Sequence, residues 1–204
     1  MAETPLRILL LAGSAQNPSR IRACLDVLAD MCQHMNVLTY LWDLYEDPLP
    51  LFTIRPGTGF SQEEVQVFHR LEQQAQQADA FILGTPVYHN SFSGILKNAL
   101  DSLSICHFQD KPVALVSSGN NDRTSSQPCD QLRAVVRGLH AVSIPTDLVT
   151  ISSDFQRLHD TYRLVNEDIG NRCLRMIEQL IAYAHLMRMY ATLQLQPIKH
   201  EIIA

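Results

Sequence analysis

Short apolar runs alternate along this chain with longer amphipathic stretches. Residues 6–12, Leu-Arg-Ile-Leu-Leu-Leu-Ala, are almost continuously apolar and end at Gly13. Such a run reads as a strand covered on both faces, the usual state of a strand in a parallel sheet. Over 18–34 the apolar residues Ile21, Leu25, Leu28, Met31 and Cys32 recur at helical spacing, which predicts a helix. Residues 37–42 predict a second strand, and 44–60 a loop rich in proline and glycine. Ser61, followed three residues later by Glu64, has the form of a capping box, so a helix is expected from there to about residue 78.

The same alternation continues to the end. Strands are predicted at 80–85, 112–117 and 141–151, the last broken near Pro145. Helices are predicted at 93–104 and 127–139, and a long one runs from a cap at Asn166 to about residue 189. Residues 190–204 show no clear periodicity and read as a tail; there is no internal repeat or interdomain linker. Five strands separated by helices imply one α/β domain, residues 1–204 with its core at about 6–189, whose parallel sheet carries helices on both faces. Ligands of such folds bind beyond the carboxyl ends of the strands. Three loops leave strand ends there with unusual residues: 13–20, 85–94 and 117–124.

Composition narrows the classes. In 204 residues, 46% are apolar and 18% charged, enough to bury a substantial core. The net charge of −5 argues against nucleic acid or anionic lipid as the main partner. The five cysteines are odd in number and none is paired at CxxC spacing, which suits reduced thiols in a cytoplasmic protein. Residues 1–5 read as a short polar leader, and the run 6–12 is too short for a signal-peptide core or a membrane span.

The first loop is Gly13-Ser14-Ala15-Gln16-Asn17-Pro18-Ser19-Arg20. Gly13 permits a tight turn, Ser14 and Ser19 offer hydroxyls, and the following helix start favours an anion such as a phosphate. Arg20 or Arg22 can add a cation. A polar loop with a serine cap is the plainer alternative. The Gly-Lys-Ser/Thr ending of a Walker loop and the GxGxxG fingerprint are both missing. The second loop, Thr85 to Gly94, sets the flat face of Tyr88 beside Pro86, Val87, His89, Asn90 and Ser91. That mixture suits an aromatic heterocycle; a solvated His89 is the bland reading, with an acid–base role for His89 as its rival. In the third loop, Ser117 to Thr124, Gly119 allows close backbone approach to a ligand, although Asn-Gly turns are common for no functional reason.

Together these loops make residues 6–185 resemble the NADPH-dependent FMN reductase family of flavodoxin-like proteins. Thr85-Pro86-Val87-Tyr88 with Ser93-Gly94 and Leu96-Lys97-Asn98 is similar to the family's TPxY…xGxLKN segment. Ala12-Gly13-Ser14 with Pro18-Ser19-Arg20 is similar to the AGSxxxPSR loop of its sulfonate-linked members. The resemblance implies a three-layer flavodoxin-like sandwich with strand order 2-1-3-4-5. It implies FMN with its phosphate on Ser14, Gln16, Ser19 and Arg20. It also implies ring contacts from Pro86, Val87, Tyr88, His89 and Asn90, and from Ser118, Gly119 and Asn120. The chain departs from the family pattern in three places. Ala15-Gln16 stands where a residue followed by Arg is commoner, Asn120-Asn121 where a second glycine is frequent, and Phe92 where Tyr is frequent.

The expected function is therefore an oxidoreductase that passes hydride from NADPH, or NADH, to FMN. A quinone, azo or chromate reductase with bound FMN is the alternative on the same scaffold, and a flavodoxin-like electron carrier or flavin-binding regulator the alternative from another class. Arg20, Arg22, Arg55 and Arg123 are candidate partners for a 2′-phosphate. The resemblance also implies a homodimer or homotetramer and leaves room for a flavin-dependent monooxygenase as partner. The stretch 182–190 suits subunit packing, and the loop 44–60 a subunit contact or lid. Metal ligands at HExxH or similar spacing, a GxSxG elbow and a CxxxxxR loop are absent from the sequence.

Overall fold

The computed structural model describes residues 4–53, 59–122 and 124–194. Five parallel strands form one sheet: β1 (Arg7–Ala12), β2 (Leu38–Asp43), β3 (Ala80–Pro86), β4 (Pro112–Ser118) and β5 (Val142–Thr150), in the order β2-β1-β3-β4-β5. This is the flavodoxin-like order. Strand side chains point alternately to opposite faces, and the two cores follow that rule. Ile8, Leu10, Ala12, Ile82, Ala114 and Val116 enter one core with α1 (Arg20–His34) and α6 (Glu167–Gln194). Leu9, Leu11, Phe81, Leu83, Val113 and Leu115 enter the other with α2 (Gln62–Gln77), α3 (Gly94–Ser102) and α5 (Gln127–Gly138). A sheet covered on both sides explains the continuous apolar runs.

Local chemistry sets the ends. Ser61 and Glu64 form the expected capping box on α2, and Asn166 accepts hydrogen bonds from the amides of Asp168 and Ile169 at the start of α6. β5 is not broken at Pro145. Its register with β4 shifts between Val113 and Leu115, so the strand passes Pro145 through a bulge, where the missing N–H is tolerated on an edge strand. Arg133 braces that bulge through the Pro145 carbonyl (3.2 Å) and the Asp147 carboxylate (2.7 Å).

Three further features depart from the sequence pattern. The helix expected over 93–104 ends at Ser102, and a one-turn helix, α4 (Ile105–Phe108), follows. α6 continues to Gln194, five residues past the expected end, while Arg188 pins its last turns to Asp79 (2.6 Å) and to the carbonyls of Thr4 and Pro5. Between β5 and α6 an antiparallel hairpin appears, β6 (Phe155–Arg157) and β7 (Tyr162–Leu164). None of the described helices is long and apolar enough to cross a membrane.

Candidate functional site

The three loops do meet at one edge of the sheet, because β1, β3 and β4 are adjacent and end at the same level. Gly13 donates to the Gly84 carbonyl (2.8 Å). A Cβ on Gly13 would stand 2.8 Å from that oxygen and 2.7 Å from Leu96 Cβ, so only glycine lets the loop leave the sheet this closely. Buried Ser93 caps α3, donates to the Gly13 carbonyl (2.5 Å), and has its own amide held by buried Thr85 Oγ1 (2.9 Å). These two residues tie the first loop to the second.

In the first loop, buried Ser14 accepts from the Gln16 amide (3.2 Å). Ser19 caps α1 by accepting from the Arg22 amide (3.3 Å). The amides of Ser19, Arg20 and Ile21 have no acceptor within the helix, which leaves them for an anion. Arg20 reaches across to the Asn120 side chain (2.9 Å) and so joins the first loop to the third. Arg22 turns away. It is held by Asp26 (2.9 Å), Asp43 (2.8 Å) and Glu46 (3.4 Å). Burial alone would lower its pKa, but the bonds to Asp43 and Asp26 outweigh it and raise it. Arg22 is thus neutralised and does not serve a phosphate. Arg55 and Arg123 lie outside the described residues.

In the second loop, Tyr88 and Ser91 exchange both backbone hydrogen bonds (2.9 and 3.0 Å) around His89 and Asn90. Both central residues have positive φ, 50° and 63°, the pattern of a type I′ turn. Tyr88 is half-buried while His89 and Asn90 are exposed at the tip. His89 has no hydrogen-bond partner among the described residues, so nothing orients its ring for acid–base work. The turn is braced by Gln131 of α5, whose amide accepts from Ser91 Oγ (2.6 Å) and donates to the Asn90 carbonyl (2.9 Å). Phe92 precedes α3 and packs on its core. Asn98, from the same motif, accepts from the Phe52 amide and donates to the Pro50 carbonyl (both 2.9 Å), which anchors the start of the 44–60 loop; residues 54–58 of that loop lie outside the described residues.

In the third loop, the Val87 amide bonds the Ser118 carbonyl and the Gly119 amide the Thr150 carbonyl (both 3.0 Å). Gly119 sits where a Cβ would overlap Ser125 Oγ and stand 3.2 Å from Val87 Cγ2. Asn120 is exposed, and its carbonyl accepts from Ser152 (3.1 Å). The hydroxyl of Ser118 is buried and lacks a hydrogen-bond partner among the described residues. A buried hydroxyl is normally paired, so this one suits a polar edge of a bound ring. With a helix start prepared for an anion, a rigid turn carrying Tyr88, and an unpaired donor in the adjoining loop, the residues fit FMN.

The family model of the NADPH-dependent FMN reductases matches residues 6–156. The chain belongs to that family. Among curated relatives, the FMN-dependent NADPH-azoreductase of Staphylococcus saprophyticus is 35% identical over 176 residues, 86% of this chain and 93% of that protein. The enzyme of the same name from Staphylococcus aureus is 35% identical over 178 residues, 87% of this chain and 94% of that one. The fold is shared with a flavoenzyme NAD(P)H:(acceptor) oxidoreductase from Paracoccus denitrificans (TM-score 0.70, 15% identity, 90% of this chain and 98% of that one). An NADH:FMN oxidoreductase in its apo form is similar to the same degree (TM-score 0.70, 16% identity, 89% of each chain). This member of the FMN reductase family is accordingly an NADPH-dependent flavin oxidoreductase that uses FMN and acts on a small-molecule acceptor.

Sequence reading did not single out Gln131, Tyr45, Arg157 or Tyr162, which stand at or beside these loops. Gln131 and Tyr45 carry no local signal. The hairpin carries only a faint one: polar residues 159–161 lie between two three-residue stretches centred on Gln156 and Arg163, too short to set a period.

Proposed function

We propose that this chain retains FMN as a prosthetic group and uses NADPH to reduce small, flat, conjugated acceptors such as azo compounds or quinones. The observation that carries this reading is the construction of the site. Three loops are cross-linked by hydrogen bonds, and Tyr88 and the unpaired Ser118 hydroxyl stand in adjoining loops, an arrangement suited to holding a ring in place. The relatedness to FMN-dependent NADPH-azoreductases points the same way. When bound, FMN would accept a hydride from NADPH and pass the electrons to the acceptor; cofactors carry this chemistry themselves. The protein's share is to hold and orient. Ser14, Gln16, Ser19 and Arg20 would hold the phosphate. Pro86, Val87, Tyr88, His89 and Asn90 would face the ring on one side, and Ser118, Gly119 and Asn120 on the other. Amides near Gly119 would stabilise the negative charge that the ring gains on reduction.

The test is purification without added flavin, an absorption spectrum, then anaerobic NADPH oxidation with an azo dye, a quinone or free FMN as acceptor. A yellow protein that reduces the dye or quinone with ping-pong kinetics supports the reading. A colourless protein that turns over only with free FMN, and releases it, refutes the prosthetic role.

We extend this reading to assembly and location. Leu186, Met189, Tyr190 and Leu193 are 45–63% exposed on the last turns of α6. Their i, i+3, i+4, i+7 spacing forms a stripe suited to a homodimer or homotetramer. A cytoplasmic location rests on the cysteines, and a monooxygenase partner on the family resemblance alone. Sedimentation of the purified chain tests the oligomer, and a monomeric species at working concentration refutes it.

A further inference from the structure

The first loop has Gln16 where its family more often has arginine, Arg22 is neutralised by carboxylates, and Arg20 is engaged with Asn120. A cation reaches this loop from elsewhere in the chain. In the β6–β7 hairpin Phe155 pairs with Leu164 and Arg157 with Tyr162. Directly opposed residues and those two apart share one face of a hairpin, so all four lie on the same side. Phe155 is buried in the core beneath α1, and Tyr162 and Leu164 pack against it. That turns this face toward α1 and the loop at its start, and leaves Gln156 and Arg163 on the outer face. Arg157 and Tyr162 then line, with residues 15–18 and Tyr45, a cleft of about 420 Å³.

The hairpin is firmly seated. Buried Asp154 at its base accepts from the Ile151 amide (2.8 Å) and Asn166 Nδ2 (2.7 Å), while its carbonyl accepts from the Val165 amide (2.9 Å). The Arg157 guanidinium carbon lies 6.0 Å from the centre of the Tyr162 ring, which orients a planar cation on an aromatic face. Arg157 forms no ion pair among the described residues, whereas Arg22, Arg133 and Arg188 each hold a carboxylate.

We propose that Arg157 is the cation of a phosphomonoester subsite, set on Tyr162 and aimed at the cleft formed by residues 15–18. It replaces from a distant part of the chain the charge that the loop lacks. The inference rests on the reading that FMN and NADPH bind at this edge of the sheet. Two ligands present this chemistry, the 5′-phosphate of FMN and the 2′-phosphate of NADPH, and the guanidinium fork suits either dianion.

The test uses the full chain as wild type, Arg157→Ala and Arg157→Lys, with melting temperatures to verify folding of this exposed position. FMN and riboflavin are titrated by flavin fluorescence, and kcat/KM is measured with NADPH and NADH. If the subsite takes FMN, Arg157→Ala raises the Kd of FMN about tenfold or more and leaves that of riboflavin unchanged, and Arg157→Lys recovers part of the loss. If it takes the nicotinamide nucleotide, FMN affinity holds and the NADPH-to-NADH preference falls by about tenfold. Either result supports the subsite and names its phosphate. A variant unchanged in both ratios overturns it. A wild type that binds neither flavin rejects the functional reading itself, which separates the two failures.

Discussion

Replacing Ser118 by alanine should move the protein in opposite directions with and without flavin. The Ser118 side chain is 3% exposed and its hydroxyl has no partner among the described residues. An unpaired buried hydroxyl costs about 1–3 kcal/mol. The low end applies at the mouth of a loop, so Ser118→Ala should stabilise the flavin-free chain by about 1 kcal/mol, a rise of about 2–4 °C in Tm for a chain of this size. With FMN bound the hydroxyl gains a partner. Its removal then destabilises the FMN-bound protein by the roughly 0.5–1.5 kcal/mol of a neutral hydrogen bond; with the gain of the flavin-free chain included, binding weakens by about 1.5–2.5 kcal/mol and the Kd of FMN rises roughly ten- to seventyfold. The assay is thermal melting of both proteins, stripped of flavin and at saturating FMN, together with a fluorescence titration. A shift of the same sign in both states, or an unchanged Kd, refutes the claim that this hydroxyl waits for the ring.

Gly119→Ala should cost about 1–3 kcal/mol through overpacking against Ser125; adding Ser125→Ala, which leaves a milder 3.1 Å contact with Ser125 Cβ, should make the double variant more stable than the sum of the single losses in a urea-unfolding cycle. Gln131→Leu should leave the unfolding free energy within about 1 kcal/mol of wild type yet speed amide hydrogen exchange of Ser91 and weaken FMN binding, because both braces of the Tyr88–Ser91 turn are lost; unchanged exchange refutes the brace. Burial pushes the thiols of Cys32 and Cys129 from 9.0 up to about 12, so the folded state keeps protons that the unfolded chain gives up: their contribution is fully present below pH 9 and is lost as pH rises through 12. Urea unfolding above pH 9 should therefore show stability falling with pH by up to about 1.36 kcal/mol per unit for each thiol, and the fall should be shallower in Cys32→Ala/Cys129→Ala.

The parts of the fold legible in the sequence are those written in periodicity. Strands covered on both faces must be apolar throughout, so β1, β3 and β4 were readable, and with them the loops at their ends. The caps at Ser61 and Asn166 were readable because they act within three residues of themselves. The hairpin was not, because strands of three residues carry too little pattern, and its seat depends on Asp154 meeting Asn166 and on Phe155 meeting a distant helix. The same limit applies to the site. Gly13, Ser14, Ser19 and Gly119 announce themselves within one loop. Arg22 reads as well as Arg20 until Asp43, 21 residues away, takes its charge. Gln131, 40 residues from Ser91, is visible only once α5 lies beside the turn.

These long-range contacts divide the site into two halves that are supported differently. The ring half is braced from beneath: Gln131 holds the turn, Thr85 and Ser93 hold the loop behind it, and Gly119 is packed on Ser125. Its geometry does not depend on a ligand. The phosphate half has few fixed charges of its own. Ser14 and Ser19 hydrogen-bond within their own loop or helix, Gln16 is neutral, and Arg20 has Asn120 as partner. A dianion there must draw Arg20 from Asn120, recruit the hairpin's Arg157, or rely on the start of α1. Each route links FMN retention to a contact that ring stacking does not use. Variants at Arg20, and at Arg157 where its subsite takes the FMN phosphate, should therefore change how tightly flavin is kept while leaving the ring environment, and hence the absorption spectrum of whatever flavin remains bound, unaltered. Variants at Gln131 or Ser118 should change that spectrum even when flavin stays. A variant of Arg20 that shifts the flavin spectrum without weakening binding would mean that the Arg20–Asn120 bridge supports the ring and not the phosphate.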